Sequence, residues 1–316
     1  MIELISPNTR FDFVGFRKKA LTISLALCVL CIGLMIVRGP KLGVDFAGGS
    51  LVQVRFKSPT QADDLRNALR AAGFDALDIQ DLGREQTEFL VRVPLSGADT
   101  ESGSKKVIST LTDKYGADQV EVLRIESVGP RVGEALRGKA LLAVLFSTLM
   151  MGCYIWIRFE WRYGLGAIVA LLHDVIITVG ALIVFGYEFD LTTVAALLTV
   201  VGFSVNDTVI VSDRIRENRR RDRRAGLAEL INTSVNETLS RTLLTSGTAI
   251  MVTLALYLLG GSVIHGFAFA LLVGFVVGTY SSIFIAAPVV LYFERNTAPG
   301  TADRRPAPAA PAARRT

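Results

Sequence analysis

Six stretches of predominantly apolar residues, near 19–37, 139–157, 164–186, 190–212, 242–260 and 266–292, decide what this chain can fold into. Each suffices to cross a bilayer, which takes about 20 residues of helix. A mean hydropathy of +0.44 and a hydrophobic fraction of 51% argue against a soluble globule of this size. The reading is a polytopic α-helical membrane protein with six transmembrane helices. The first stretch follows Arg17-Lys18-Lys19 and is too long for the apolar core of a cleaved signal peptide, with no small-x-small cleavage site before Gly39-Pro40. It reads as an uncleaved anchor.

Short loops rich in Lys and Arg stay on the cytoplasmic side. Arg10, Arg17, Lys18 and Lys19 precede the first stretch, Arg158 and Arg162 separate the second and third, an Arg run follows the fourth, and Arg295 follows the sixth. The opposite loops, 186–190 and 260–262, carry neither Lys nor Arg. Both termini are therefore expected in the cytoplasm, with residues 38–138 exported. The net charge of +5 is accounted for by these loops and the tail beside anionic membrane lipid, and implies no nucleic-acid partner. Cys28, Cys31 and Cys153 all fall within spans and read as small packing residues, so the exported part has no disulfide and no thiolate metal site. The sequence has no Walker-type phosphate loop. No cofactor, metal or enzymatic activity is expected.

The exported segment alternates strand and helix signals. Leu51–Phe56 reads as a strand, Thr60–Ala72 as a helix closed at Gly73, Ala76–Asp81 and Glu88–Val93 as strands joined around Gly83, Asp99–Tyr115 as a helix stopped at Gly116, and Gln119–Ser127 as a last strand. The order βαββαβ is that of a ferredoxin-like α+β domain. It contains no His/Cys cluster and no nucleophile motif, which suits binding or leverage better than catalysis. Glycine-rich joints flank it, with Gly43, Gly48 and Gly49 on one side and Gly129 and Gly133 on the other. They serve either as hinges that transmit helix motion or as plain turns.

Residues 1–18 form a cytoplasmic N-terminus, 19–37 the first helix, and 139–292 a five-helix membrane domain. Within that domain 213–241 reads as an Arg-rich cytoplasmic loop followed by an amphipathic interfacial helix, because Leu227, Leu230, Ile231, Val235 and Leu239 recur at helical spacing. Residues 293–316 read as a disordered tail, since Pro, Ala and Arg leave almost nothing to bury.

Inside the apolar run from Leu191 to Val211 stands Asp207. A carboxylate at membrane depth is costly enough that it normally marks an ion or substrate pathway; the other reading is a hydrogen bond to a neighbouring helix. The polar break at Ser212 places Asp207 about six to nine Å below the helix exit at about 1.5 Å per residue. Arg241 opens the fifth span at a similar depth. If the two spans are neighbours the pair is a proton switch in principle, because a guanidinium beside a carboxylate favours the ionised acid; otherwise Arg241 simply rests among lipid phosphates. His173 and Asp174, in mid-span, serve either a proton relay or a static interhelical bond. Ser204, Asn206, Thr199, Thr245, Ser246 and Thr248 add polar groups to such a seam. Gly274 and Gly278 form a small-xxx-small pattern suited to close helix packing.

The order of these features, with Gly202-Phe203-Ser204-Val205-Asn206-Asp207-Thr208-Val209-Ile210-Val211-Ser212-Asp213-Arg214-Ile215-Arg216-Glu217-Asn218 in span four, Gly43-Val44-Asp45-Phe46-Ala47-Gly48-Gly49, His173-Asp174 and Ser240-Arg241-Thr242, closely resembles the SecF family. The resemblance covers nearly the whole chain except the tail. It implies a subunit of the bacterial SecDF complex of the cytoplasmic membrane, related to resistance-nodulation-division transporters, working beside the SecYEG channel and SecA on unfolded preprotein. It also implies pairing with SecD into a pseudo-symmetric twelve-span unit driven by protons or, in some organisms, sodium, with Asp207 and Arg241 matching the residues implicated in ion conduction. No SecD portion is fused here, so the second half is expected from another polypeptide. A passive assembly subunit and a small-molecule exporter of the related superfamily are the competing readings.

Overall fold

The computed structural model describes residues 11–74, 77–82, 86–93 and 100–295. Arg10, Ala76, the Gly83 turn, Asp99 and residues 296–316 of the expected disordered tail lie outside the described residues; residues 293–295 of that tail are not disordered but continue the last helix. In chain order the elements are α1 (Phe13–Val37), β1 (Lys41–Leu42), α2 (Val44–Ala47), β2 (Gly49–Phe56), α3 (Ala62–Ala71), β3 (Asp78–Asp81), β4 (Glu88–Val93), α4 (Thr100–Tyr115) and β5 (Val120–Val128). Then follow α5 (Pro130–Arg158), α6 (Trp161–Phe185), β6 (Glu188–Phe189), α7 (Leu191–Arg221), α8 (Leu227–Leu259), α9 (His265–Ser281), a π-helical segment (Ser282–Ala286) and α10 (Ala287–Arg295).

Among the described residues six helices are long and apolar enough to cross a membrane: α1, α5, α6, α7, α8 and the continuous α9–α10 rod. Half or more of the apolar windows of α6, α7 and α9 are buried within the protein, whereas α1, α5 and α8 leave most of theirs outward. The chain is thus a multi-pass membrane protein with an inner trio and an outer set.

Between α1 and α5 the strands pair in the order β3-β4-β2-β5, all antiparallel. This is the ferredoxin-like topology, with the outer strands contributed by the second and fourth positions of βαββαβ. Central β2 is buried except at Arg55, and Val52, Val54, Phe89 and Val91 pack with Leu65 and Leu69 of α3 and Val107 and Leu111 of α4. The opposite sheet face looks across a cleft of about 490 Å³ toward residues 186–192 and 263–267 of the membrane domain.

Several boundaries differ from the sequence expectation. α1 starts at Phe13, not 19, because Asp12 caps it, its carboxylate accepting from Gly15 N at 2.8 Å. α5 starts at Pro130, not 139, since proline suits the first helical position. α7 does not end near Ser212 but runs on to Arg221, so Asp207 stands near its middle. The expected interfacial helix and the fifth span are one rod of 33 residues. Its apolar stripe faces protein and not lipid: Ile231, Val235 and Leu239 pack with Val14, Val211 and Ile215. Asn232 and Asn236 of the same helix clasp the chain at Phe11 and Phe13, Asn232 Oδ1 accepting from Phe13 N at 2.8 Å.

The glycine joints are packed together. Gly133 is buried in α5, where an added Cβ would meet the carbonyl oxygens of Phe46 at 3.1 Å and Asp45 at 3.3 Å. Gly48 (φ 76°) and Gly49 (φ 128°) occupy backbone that other residues rarely adopt. Gly43 donates its N–H to Phe189 O at 2.8 Å, and Gly129 precedes α5 in extended conformation.

Candidate intramembrane site

Two buried carboxylates organise the bundle. Asp174 of α6 is fully buried. Its Oδ2 accepts from Ser204 Oγ of α7 at 2.6 Å and from Ser281 Oγ of α9 at 2.8 Å, and its Oδ1 lies 3.0 Å from His173 Nδ1. One side chain therefore ties the inner trio together. The contact requires close approach, and Gly278 provides it: a Cβ there would lie 3.1 Å from that of Ser204 and 3.6 Å from Asp174 Oδ2. His173, adjacent on α6, turns one nitrogen to the acid, while its Nε2 has no hydrogen-bond partner among the described residues.

Asp207 is also fully buried but differently served. Oδ2 accepts from Ser246 Oγ of α8 at 2.9 Å, while Oδ1 has no hydrogen-bond partner among the described residues. Thr242, four residues before Ser246 and so on the same face of α8, holds a buried hydroxyl likewise without a hydrogen-bond partner among the described residues. Spans four and five do touch, yet Arg241 does not meet Asp207 and its side chain is exposed. Arg241 precedes Ser246 by five positions, which turns it about 140° around the helix. Asn206, expected in the seam, is exposed instead; Ala195, Thr199, Gly202 and Asn206 form an outward stripe of small or polar residues along α7. Thr199, Thr245 and Thr248 donate to carbonyls of their own helices.

The sequence did not single out two buried hydroxyls of the site. Ser281 stands in Thr279-Tyr280-Ser281-Ser282 and Thr242 close to Ser240, Thr245 and Ser246, and since hydroxyls are ordinary in membrane segments, spacing does not pick out which of them faces the seam.

The fold and the site define a multi-pass membrane protein with an acid-bearing helical core and a ferredoxin-like domain outside it. The family model for the C-terminal part of the protein export membrane proteins SecD and SecF matches residues 107–296, and that for the SecD/SecF GG motif matches residues 33–60. The chain belongs to the SecD/SecF family. It is 45% identical over 294 residues to the protein translocase subunit SecF of Desulfurispirillum indicum, covering 90% of this chain and 93% of that one. With the SecF subunit of Escherichia coli O157:H7 the identity is 43%, covering 89% and 87%. The crystal structure of SecDF, a translocon-associated membrane protein from Thermus thermophilus, superposes with a TM-score of 0.81 at 37% identity. That match covers 92% of this chain but only 40% of the SecDF chain.

Proposed function

We propose that this protein is the SecF-type half of a two-part export machine in the bacterial cytoplasmic membrane, coupling proton or sodium flow at Asp207 to the outward movement of unfolded preprotein. The observation that carries the reading is the half-satisfied carboxylate. An acid with both oxygens bonded, like Asp174, is suited to a static role, whereas Asp207 keeps one oxygen available to a proton or cation. The role is transport and not bond-making.

The missing half is a SecD-type partner. The outward face of α7, with Ala195, Thr199, Gly202 and Asn206, is too small and polar for a lipid-facing surface and suits close approach of another helix. The SecDF chain, of which this protein spans 40%, supports the same division. SecYEG and SecA are the channel-side partners in this scheme, and the loop charges orient both termini to the cytoplasm. Arg241, held away from Asp207 here, acts in a second arrangement of the helices or at the partner face, as expected for alternating access.

The test is Asp207→Asn, expressed with the partner subunit. Expected are normal co-purification with the partner and loss of gradient-stimulated export of a secreted protein. Export that responds to the proton gradient as in the parent would overturn the coupling role. Loss of co-purification would favour the passive assembly reading instead, which the fully bonded Asp174 favours for that residue alone.

A further inference from the structure

At the end of the bundle remote from the sheet domain, a cleft of about 580 Å³ opens between the α5–α6 turn, the last turns of α7 and the start of α8. Arg216, Arg219, Arg220 and Arg223 line it, against the two acids Glu160 and Asp222. Both acids have other tasks. Asp222 accepts from the backbone N–H groups of Arg224 and Ala225 at 2.9 and 3.2 Å, closing the turn that follows α7. Glu160 lies 4.0 Å from the Arg162 guanidinium. Positive charge therefore dominates the walls, while Leu227 and Leu230 supply an apolar side.

The depth of the cleft narrows the ligand. The ring of its neighbour Phe159 has the guanidiniums of Arg158 at 5.4 Å and Arg216 at 6.0 Å from its centroid. Trp161 opens α6 beside it, 44% exposed, and its ring packs edge-on against Phe293; Tyr292 is 64% exposed. Exposed Trp and Tyr at a helix end mark the boundary between hydrocarbon and water. A cluster of arginines at that level, beside leucines, is arranged for a molecule that carries phosphate oxygens and acyl chains together.

We infer that this cleft binds the headgroup of an anionic phospholipid. Guanidinium forks take phosphate oxygens in pairs, and the two leucines meet the glycerol and upper chain carbons. Free phosphate shares the oxygens but leaves the leucines unused. The bound lipid would brace three elements at once: the α5–α6 turn, the end of α7 and the start of α8.

Arg220 and Arg223 are exposed, so their replacement leaves the packed core intact. The full chain, purified in mild detergent, is titrated with phosphatidylglycerol against phosphatidylcholine and bound lipid is counted by native mass spectrometry. Expected is preferential retention of phosphatidylglycerol, weakened in Arg220→Gln/Arg223→Gln by about fivefold for each guanidinium removed. The control Arg131→Gln/Arg137→Gln removes equal charge from exposed positions near the start of α5, at the other end of the bundle. Equal weakening by the control would show general surface attraction and overturn the site. So would equal retention of the two lipids by the parent protein. Displacement of phosphatidylglycerol by millimolar inorganic phosphate would assign the cleft to free phosphate and overturn the lipid headgroup.

Discussion

Arg92 of β4 forks both terminal guanidinium nitrogens onto the carboxylate of Glu188 in β6, joining the four-stranded sheet to the link between α6 and α7. Lys41 reinforces the contact, its Nζ 3.3 Å from Glu188 and 3.4 Å from Asp78, and β1 pairs in parallel with β6 at Lys41 and Glu188. The Arg92 and Glu188 side chains are 16% and 23% exposed, so the pair is worth more than an open surface bridge and harder to lose.

Glu188→Gln leaves Arg92 and Lys41 with Asp78 as their remaining shared countercharge, 3.7 and 3.4 Å away. Docking of the sheet domain is expected to weaken by about 1–2 kcal/mol. Amide hydrogen exchange should accelerate at β1 and β6 and stay slow at central β2. Unchanged exchange at β6 would show that backbone pairing alone holds the domain.

Asp174 is expected to act as a structural bracket. Asp174→Leu strands the buried Ser204 hydroxyl and leaves Ser281 with Gly278 O at 3.1 Å as its acceptor, at about 1–3 kcal/mol for a buried polar group left without its partner. Thermal unfolding in detergent reads the loss, and Ser281→Ala should give a smaller one. A variant that keeps its stability but loses export would assign Asp174 to ion movement instead.

At Gly274 helix α9 approaches α7 closely: an added Cβ would lie 2.1 Å from Val200 Cγ2. Gly274→Ala is therefore expected to destabilise by about 1–3 kcal/mol through overpacking. Adding Val200→Ala removes the obstructing methyls and should restore much of the thermal midpoint. Failure of the double variant to recover would place the strain elsewhere.

Alkaline pH is expected to loosen the end of the bundle that faces the sheet domain. Burial, aided by the Tyr257 hydroxyl at 2.9 Å, holds the Tyr187 phenol up to about 12. The folded protein thus keeps this proton above the ordinary value of about 10. Its stabilising contribution is fully present below that value and is lost as pH rises through about 12. A tyrosinate absorbance titration should show a late component that Tyr187→Phe removes.

The six spans and the βαββαβ domain were legible because apolar length and strand-helix alternation are properties of composition and period. Helix ends were not, because residues 212–221 look like open surface. Their polar groups serve α8: Asn218 donates to Ser234 at 3.0 Å and Glu237 at 2.6 Å, and Arg214 donates to Glu237 at 2.7 Å. The same ambiguity made the stripe 227–239 resemble a lipid-facing helix. The burial of Asp207 was readable from its apolar flanks. Its partner was not, since the choice between Arg241 and Ser246 depends on the rotation of α8 about its axis, which spacing along one chain leaves open.

α7 is a single rod of 31 residues whose first N–H, at Leu191, is held by the Asp45 carboxylate of the first glycine joint at 2.9 Å. Asp207 stands 16 residues from that anchor, a lever arm of about 24 Å. Pivoting at the acid by about 5° would swing the Leu191 tip by about 2 Å. A tilt of α7 about Asp207 would therefore reach the first glycine joint directly, through the Leu191–Asp45 hydrogen bond.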